Sequence, residues 1–534
     1  MTTGAVTPHR SPLTPERDSF WYLVHAEWTK FRTVRGWVIA AGVTILAITA
    51  LAFPFCAISA GCAVNNGASG TASAGACPPA PPAGPGGEPV QDAFYFLHQP
   101  LTGNGTITVQ LTSLTGQVAI GPGSNGQSQM GSGLQPWSKA GIIIKENMSQ
   151  GSAYAAMMVT GSHGVRMQWD YVNDRPGLGK RAGEAGGVSA SAPRWLRLVR
   201  DGDTITGYDS ADGTHWAPVD TVTLPGLTDP KQAGTVQAGL FTAAPSNGNA
   251  ATTTGVFQHI GLSWPATGWT ATNVGGTGPN GVGQPGTFSQ SGGVLTVTGG
   301  SGDIAPLTGG AGVISVQRAL LGTFFGLIPL IVAAAMFITG EYRRGLIRVS
   351  LTAAPRRSRL LAAKAVVIAA VGFVAGVVAA ALALAVGTPL LRKTGIPVWP
   401  VSLLTEARMV AGTGALLALA GVLALAIAII VRRSAPAITT AIVVIFVPYL
   451  LTVGVGPQGG GHGSGGGGDW ALKVTPVAAM AVQQALPKFY QVAAAYVVVG
   501  GYYPLAPWAG LAVECAWAAA ALALAFFLLR RRDA

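Results

Sequence analysis

Few residues in this sequence are placed to do chemistry, and their spacing excludes most reactions. Seven histidines and four cysteines are dispersed through 534 residues. No cluster gathers ligands for a metal ion or a nucleophile with its base, so neither a metal site nor a catalytic residue is expected. Gly177-Leu178-Gly179-Lys180-Arg181 comes nearest to a phosphate loop, but it lacks the first glycine and has Arg where Ser or Thr would hold magnesium. The strongest signal is cationic: Glu341, Tyr342, Arg343, Arg344, Arg348, Arg356, Arg357, Arg359 and Lys364 place seven Lys/Arg against one Glu. Guanidinium groups make bidentate, charge-assisted contacts, so this stretch either docks an acidic or polar partner or serves only as a topogenic signal. Glu514 is a carboxylate inside an apolar run, where it costs several kcal/mol unless paired, protonated or facing a wet cavity. It is a candidate pathway or packing residue. Trp137, Trp169, Tyr171 and Trp216 either stack on sugar rings or fill a core. Cys62 and Cys77 are close enough in sequence to bridge, closing a loop worth roughly 3 kcal/mol in the chain-entropy model; Cys56 and Cys515 are expected to stay reduced.

The elements that hold these residues are read from hydropathy and charge. With 49% hydrophobic and 10% charged residues, the chain is too poor in charge for a water-soluble protein of this length, and membrane spans explain the composition. The net charge of +12 is concentrated in residues 1–36, in 341–364, at Arg432-Arg433 and at Arg530–Asp533. No basic domain with interleaved aromatics exists, so nucleic acid is not an expected partner. Spans are expected at Trp37–Ser59, Ala319–Thr339, Leu360–Leu391, Met409–Val431, Ala437–Val455 and Trp508–Leu529. The positive-inside bias puts both termini and the 341–364 loop in the cytoplasm of a plasma-membrane, multi-pass protein, with about 60–317 outside; Arg392 and Lys393 are an exception. Before the first span, Trp21, Glu27, Trp28, Lys30 and Arg32 belong either to an amphipathic helix in the bilayer interface or to a charged flank that only orients the span. Residues 60–90 form a Gly/Pro/Ala linker. Residues 91–313 show short alternating runs broken by turn signals such as Asp201-Gly202, the pattern of an antiparallel β-sandwich. After the glycine-rich tract 459–468, residues 469–505 alternate short apolar segments with Pro476, Pro487 and Pro504, which suits re-entrant helices on the outer side better than full spans. The fold class is therefore a membrane all-α bundle of six transmembrane helices with an inserted extracellular all-β sandwich.

Two resemblances follow. Trp137–Glu146, Arg194–Leu198 and Tyr208–Trp216 resemble bacterial concanavalin/laminin-G-like β-sandwich modules, which often accompany carbohydrate-active or surface proteins. In those modules a segment like Gly293–Ile304 precedes one like Asp92–Pro100, and here the order is reversed, which implies a circular permutation that brings the domain's ends together. His25–Arg35, Gly340–Gly345 with Pro355-Arg356-Arg357 and Ala362-Ala363-Lys364, and Thr475–Ala479 resemble permease subunits of actinobacterial ABC transporters of the type-2 exporter class. The resemblance covers about 1–60 and 315–534. It implies an interfacial helix before the first span, a coupling helix in 341–364, and a homodimer or pseudo-dimer of permeases. It also implies a separate ABC ATPase that binds the ATP and magnesium, so the chain is not expected to be an enzyme or to hold a cofactor of its own. The large β insert departs from typical members. Two other readings stand beside this one: a membrane-anchored surface module binding glycan, and a secondary transporter.

Overall fold

The computed structural model describes residues 20–57, 80–122, 128–177, 188–228, 234–245, 250–276, 285–307, 313–343, 357–393, 397–454, 469–492 and 501–532. Cys62, Cys77, Arg344, Arg348, Arg356 and most of the phosphate-loop-like run lie outside these residues. The helices are α1 Phe20–Thr33, α2 Arg35–Ala57, α3 Thr323–Arg343, α4 Arg357–Lys393, α5 Leu403–Val431, α6 Ser434–Gly454, α7 Asp469–Val474 and α8 Pro507–Arg532. Among the described residues six helices are long and apolar enough to cross a membrane, and they coincide with the apolar runs read from the sequence. Helix α4, with 37 residues, spans about 55 Å at the rise of an α-helix. That exceeds a hydrocarbon core of about 30 Å, so it is longer than an upright crossing of the apolar layer requires. Small residues let the central helices close on one another: a Cβ added at Gly376 in α4 would meet Thr413 O of α5 at 2.8 Å, the close approach that membrane helices use in place of a hydrophobic driving force. After α7, a 3-10 helix over Pro476–Gln483 is buried along its whole length. A Cβ at Gly510 of α8 would lie 2.1 Å from Ala478 O, so this short segment sits directly against the last helix.

Between α2 and α3 the described residues form seventeen strands: β1 Val90–Asp92, β2 Phe94–Thr102, β3 Gly105–Pro122, β4 Ser128–Ser132, β5 Lys139–Lys145, β6 Tyr154–Thr160, β7 Val165–Trp169, β8 Asn173–Pro176, β9 Arg194–Asp201, β10 Thr204–Ser210, β11 Ala217–Thr223, β12 Thr235–Ala243, β13 Ala251–Leu262, β14 Thr270–Val274, β15 Thr287–Ser291, β16 Val294–Gly299 and β17 Ile304–Pro306. One sheet has eight strands in the order β11-β10-β9-β3-β13-β16-β15, with β4 beside β3; a second has seven, β14-β2-β12-β5-β6-β7-β8. Alternation sets the facing: in β9, Arg194–Asp201, Leu196 and Leu198 are buried while Arg197 and Val199 are half-exposed. Leu97, Leu101, Ile142 and Leu240 of one sheet meet Ile107, Val109, Leu196 and Phe257 of the other in a shared core, as in a sandwich.

A third layer was not expected from the sequence. Strands β5, Lys139–Lys145, and β6, Tyr154–Thr160, are buried on both faces, because β1 pairs with β17 and covers a second apolar cluster containing Phe94, Phe96, Ile143, Tyr154, Phe241 and Ile304. This ribbon is pinned at both ends of β5. Lys139 pairs with Asp303 at 2.5 Å and Lys145 with Asp92 at 2.8 Å, and both lysines are fully buried. The domain's two ends are thus adjacent, and 293–304 lies in the same body as 92–111. A hydrogen bond from Gln491 Nε2 to Tyr171 O, 3.1 Å, joins this domain to the helical part.

Candidate functional site

Three segments far apart in sequence converge on one buried charge cluster. Helix α1 carries Glu27 and Lys30 one turn apart, the last turn of α3 carries Glu341, and the second turn of α4 carries Lys364. Lys364 Nζ donates to Glu27 Oε2 and to Glu341 Oε1, both at 2.7 Å. Lys30 Nζ donates to Glu27 Oε1 at 2.8 Å and to Glu341 Oε1 at 3.2 Å. The four charges cancel. Side-chain exposure is 1% for Lys364, 2% for Glu27 and 9% for Glu341, against 41% for Lys30. A buried charge is tolerated when its partners are this close and multiple, and the Phe337 ring adds a further face 4.7 Å from Lys364 Nζ. Phe31 and Trp37 close the cluster against the same Phe337 ring at 5.9 and 5.0 Å.

This geometry changes the roles read from the sequence. Glu341 turns inward and is spent on two lysines instead of standing free in the cationic stretch. Glu27 is buried beneath α1, while Trp21 and Trp28 on the same helix are exposed; an inward acid and outward tryptophans suit a helix lying along an interface. Arg32 is also exposed. Lys364, which the sequence shows as part of the cationic run and of the Ala362-Ala363-Lys364 motif, is the buried centre of the cluster. The signal that could have found the cluster is charge arithmetic: a lone acid beside each of two apolar runs, and a lysine inside the start of a third.

The cluster ties together the two ends of the 344–356 segment. Further contacts fix the same face: Arg357 donates to Leu529 O of α8 at 2.8 Å, a cation at the negative end of a helix. Arg432, the left-handed cap of α5 with φ of 61°, places its guanidinium 5.5 Å from the Tyr342 ring. Arg343 is exposed, and Arg359 is half-buried with partners of its own.

At the opposite end of the bundle lies a polar layer that the sequence did not reveal. Gln483 Nε2, at the end of the 3-10 helix, donates to Thr323 Oγ1 at 2.9 Å and Thr413 Oγ1 at 3.0 Å, and the Arg408 guanidinium donates to Gln484 O. Glu514 is 2% exposed on the inward stripe of α8 with Leu511 and Ala518. Its Oε2 has no partner among the described residues, so it is a buried acceptor in reserve.

The four aromatic residues considered for sugar stacking do not assemble an open platform. Trp137 is buried and stacks on His163 at 3.9 Å. Tyr171, fully buried at φ of 62°, donates its hydroxyl to Asp92 Oδ2 at 2.8 Å. The ring of Trp216 is covered by Arg197 at 3.8 Å, and its Nε1 donates to Gly213 O. Trp169 is half-buried against the sandwich core. Cys56 and Cys515 are free thiols.

Compared with known proteins, residues 231–534 match the family model described as ABC-2 family transporter protein. No curated protein matches the chain. Among solved structures, a functionally unknown protein from Saccharomyces cerevisiae is similar at a TM-score of 0.21 and 16% identity, over 32% of this chain and 76% of that one. The GH43 protein BlXynB from Bacillus licheniformis is similar at a TM-score of 0.19 and 18% identity, over 28% of this chain and 25% of that one. Likenesses this weak carry nothing about activity.

Proposed function

The chain belongs to the ABC-2 transporter family and is a multi-pass permease component, and we propose that it is the membrane subunit of an exporter whose ATP and magnesium are bound by a separate ATPase. In this reading six helices cross the plasma membrane, both termini are cytoplasmic, and the β-domain is extracellular, with the disulfide Cys62–Cys77 formed in its linker. Two copies pair to form the pathway, and Glu514 with the Gln483 layer lines or gates it. The single observation that carries the coupling role is the ion-pair cluster. It holds Glu341 and Lys364, one on each side of the 344–356 segment, to the same point on α1. A push on a segment clamped in this way moves α1, α3 and α4 together instead of bending a loose loop. The docking cations are then Arg343, Arg344, Arg348, Arg356, Arg357 and Arg359, while Glu341 and Tyr342 hold the frame.

The test is Arg→Gln at Arg348 and Arg356 together, which leaves five Lys/Arg in 341–364 to maintain orientation. Normal membrane insertion with reduced co-purification of the ATPase, or loss of its stimulated hydrolysis, is expected. Unchanged pull-down and unchanged stimulation in the double variant would reduce the stretch to a topogenic signal.

A further inference from the structure

The β-domain has a concave feature that none of the roles above uses. Strand β13, Ala251–Leu262, pairs with β16 only from Thr253 opposite Gly299 to Phe257 opposite Leu295. The β15–β16 hairpin stops there, at a two-residue turn in which Gly292 and Gly293 both have positive φ, 56° and 79°, the geometry that a tight hairpin demands. Residues 258–262 of β13 therefore run past the hairpin, and a groove of about 500 Å³ opens beside them. Gln258 and His259 line one side, Gln290 and the glycine turn another, and Gln99 and Trp269 a third.

The lining has a definite chemistry. Among the described residues it holds no charged side chain, which disfavours phosphate, carboxylate or cationic ligands. Trp269 supplies a half-buried indole. Three carboxamides supply both donors and acceptors. Gln99 Oε1 already accepts from Thr267 N at 3.1 Å, which leaves its NH2 as the donor it can offer. His259 Nδ1 lies 2.9 Å from Gln110 Oε1; with that oxygen as acceptor, Nδ1 carries the proton and Nε2 is an acceptor. His259 is also held at φ of 49°, inside a bulge between Gln258 and Gly261. A non-glycine residue in that region is strained and tends to mark a functional position. The same bulge breaks the edge of β13, so the groove is poorly suited to an added peptide strand.

We propose that this groove binds a neutral saccharide. The indole meets the apolar C–H face of a sugar ring, and the carboxamides and imidazole meet hydroxyls, which both donate and accept. The site is distinct from Trp137, Trp169, Tyr171 and Trp216, and it stands whether or not the membrane part exports.

The experiment titrates the detergent-solubilised full chain with neutral hexasaccharides (maltohexaose, cellohexaose, xylohexaose and mannohexaose) up to about 10 mM, with an oligogalacturonate as the anionic comparator. Saturable binding of at least one neutral probe is expected, weakened roughly tenfold or more by Trp269→Ala. Gln290→Ala, on the fully exposed strand β15, should weaken it several-fold without disturbing the core, which guards against a folding defect in the tryptophan variant. Trp216→Ala should bind as the parent does. Absence of saturable binding by all four neutral probes, preference for the anionic one, or parental affinity in both Trp269→Ala and Gln290→Ala would overturn the assignment.

Discussion

Replacing Lys364 with methionine keeps the length of the side chain but removes the ammonium that binds Glu27 and Glu341 at 2.7 Å. Its side chain is 1% exposed, so the two carboxylates lose their dry partner and keep only Lys30. Breaking a buried pair by deleting one member costs about 3–5 kcal/mol, because the remaining charge stays desolvated. Lys30 makes the corresponding contacts, but its side chain is 41% exposed, so water already solvates part of its ammonium and its removal changes the cluster less. The asymmetry is the diagnostic: Lys364→Met should lower the unfolding temperature of the detergent-solubilised chain clearly, and Lys30→Met only slightly. Glu27→Gln combined with Lys364→Met removes one charge of each sign and leaves Glu341 with Lys30, so it should recover much of the loss. That recovery is an interaction term of about 0.5–3 kcal/mol between neighbouring residues. Equal effects of the two lysine variants, or strict additivity in the double variant, would show that the cluster is solvated and does not clamp α1 to α3 and α4.

Two predictions concern the β-domain. Burial first, and then the negative charges of Glu88 and Glu146, hold Asp170 at about 6, above its unfolded value of 3.8. The folded state therefore binds this proton more tightly than the unfolded chain does, and the favourable contribution present below 3.8 is lost as pH rises to about 6. Asp170→Asn, which tolerates the residue's φ of 44°, should flatten that part of the pH–stability curve; identical slopes in parent and variant would refute the cause given. In the ribbon, Asp92 Oδ2 keeps Gly151 N and Tyr171 OH when Lys145 is removed, whereas among the described residues Asp303 Oδ1 keeps only Ile304 N when Lys139 is removed. Lys139→Met should thus open the β1–β17 ribbon to protease more readily than Lys145→Met, and the reverse order would contradict the hydrogen-bond count.

The membrane helices and the β region were legible in the sequence because their signals are local. An apolar run long enough to cross a bilayer is visible within one window, and alternation such as Trp195-Leu196-Arg197-Leu198 marks a strand with one face buried. The charge map likewise pointed to the cationic stretch without knowledge of any neighbour. The partners of those charges were not visible, since Glu27 and Lys364 are 337 residues apart and no periodicity links them. The ribbon over β5 was hidden for a similar reason: Lys139 and Lys145 look like ordinary strand-end lysines until the domain's two ends meet above them. The choice between sugar stacking and core filling for Trp137, Trp169, Tyr171 and Trp216 was open in the sequence for the same reason, because an aromatic residue's type does not say which face of a sheet covers it. The groove beside β13 exists only because one hairpin ends before its neighbour does, and that is decided by sheet registry. Hydropathy and alternation are properties of a single segment facing solvent or lipid; ion pairing, third layers and grooves depend on which segments the closed tertiary structure brings side by side.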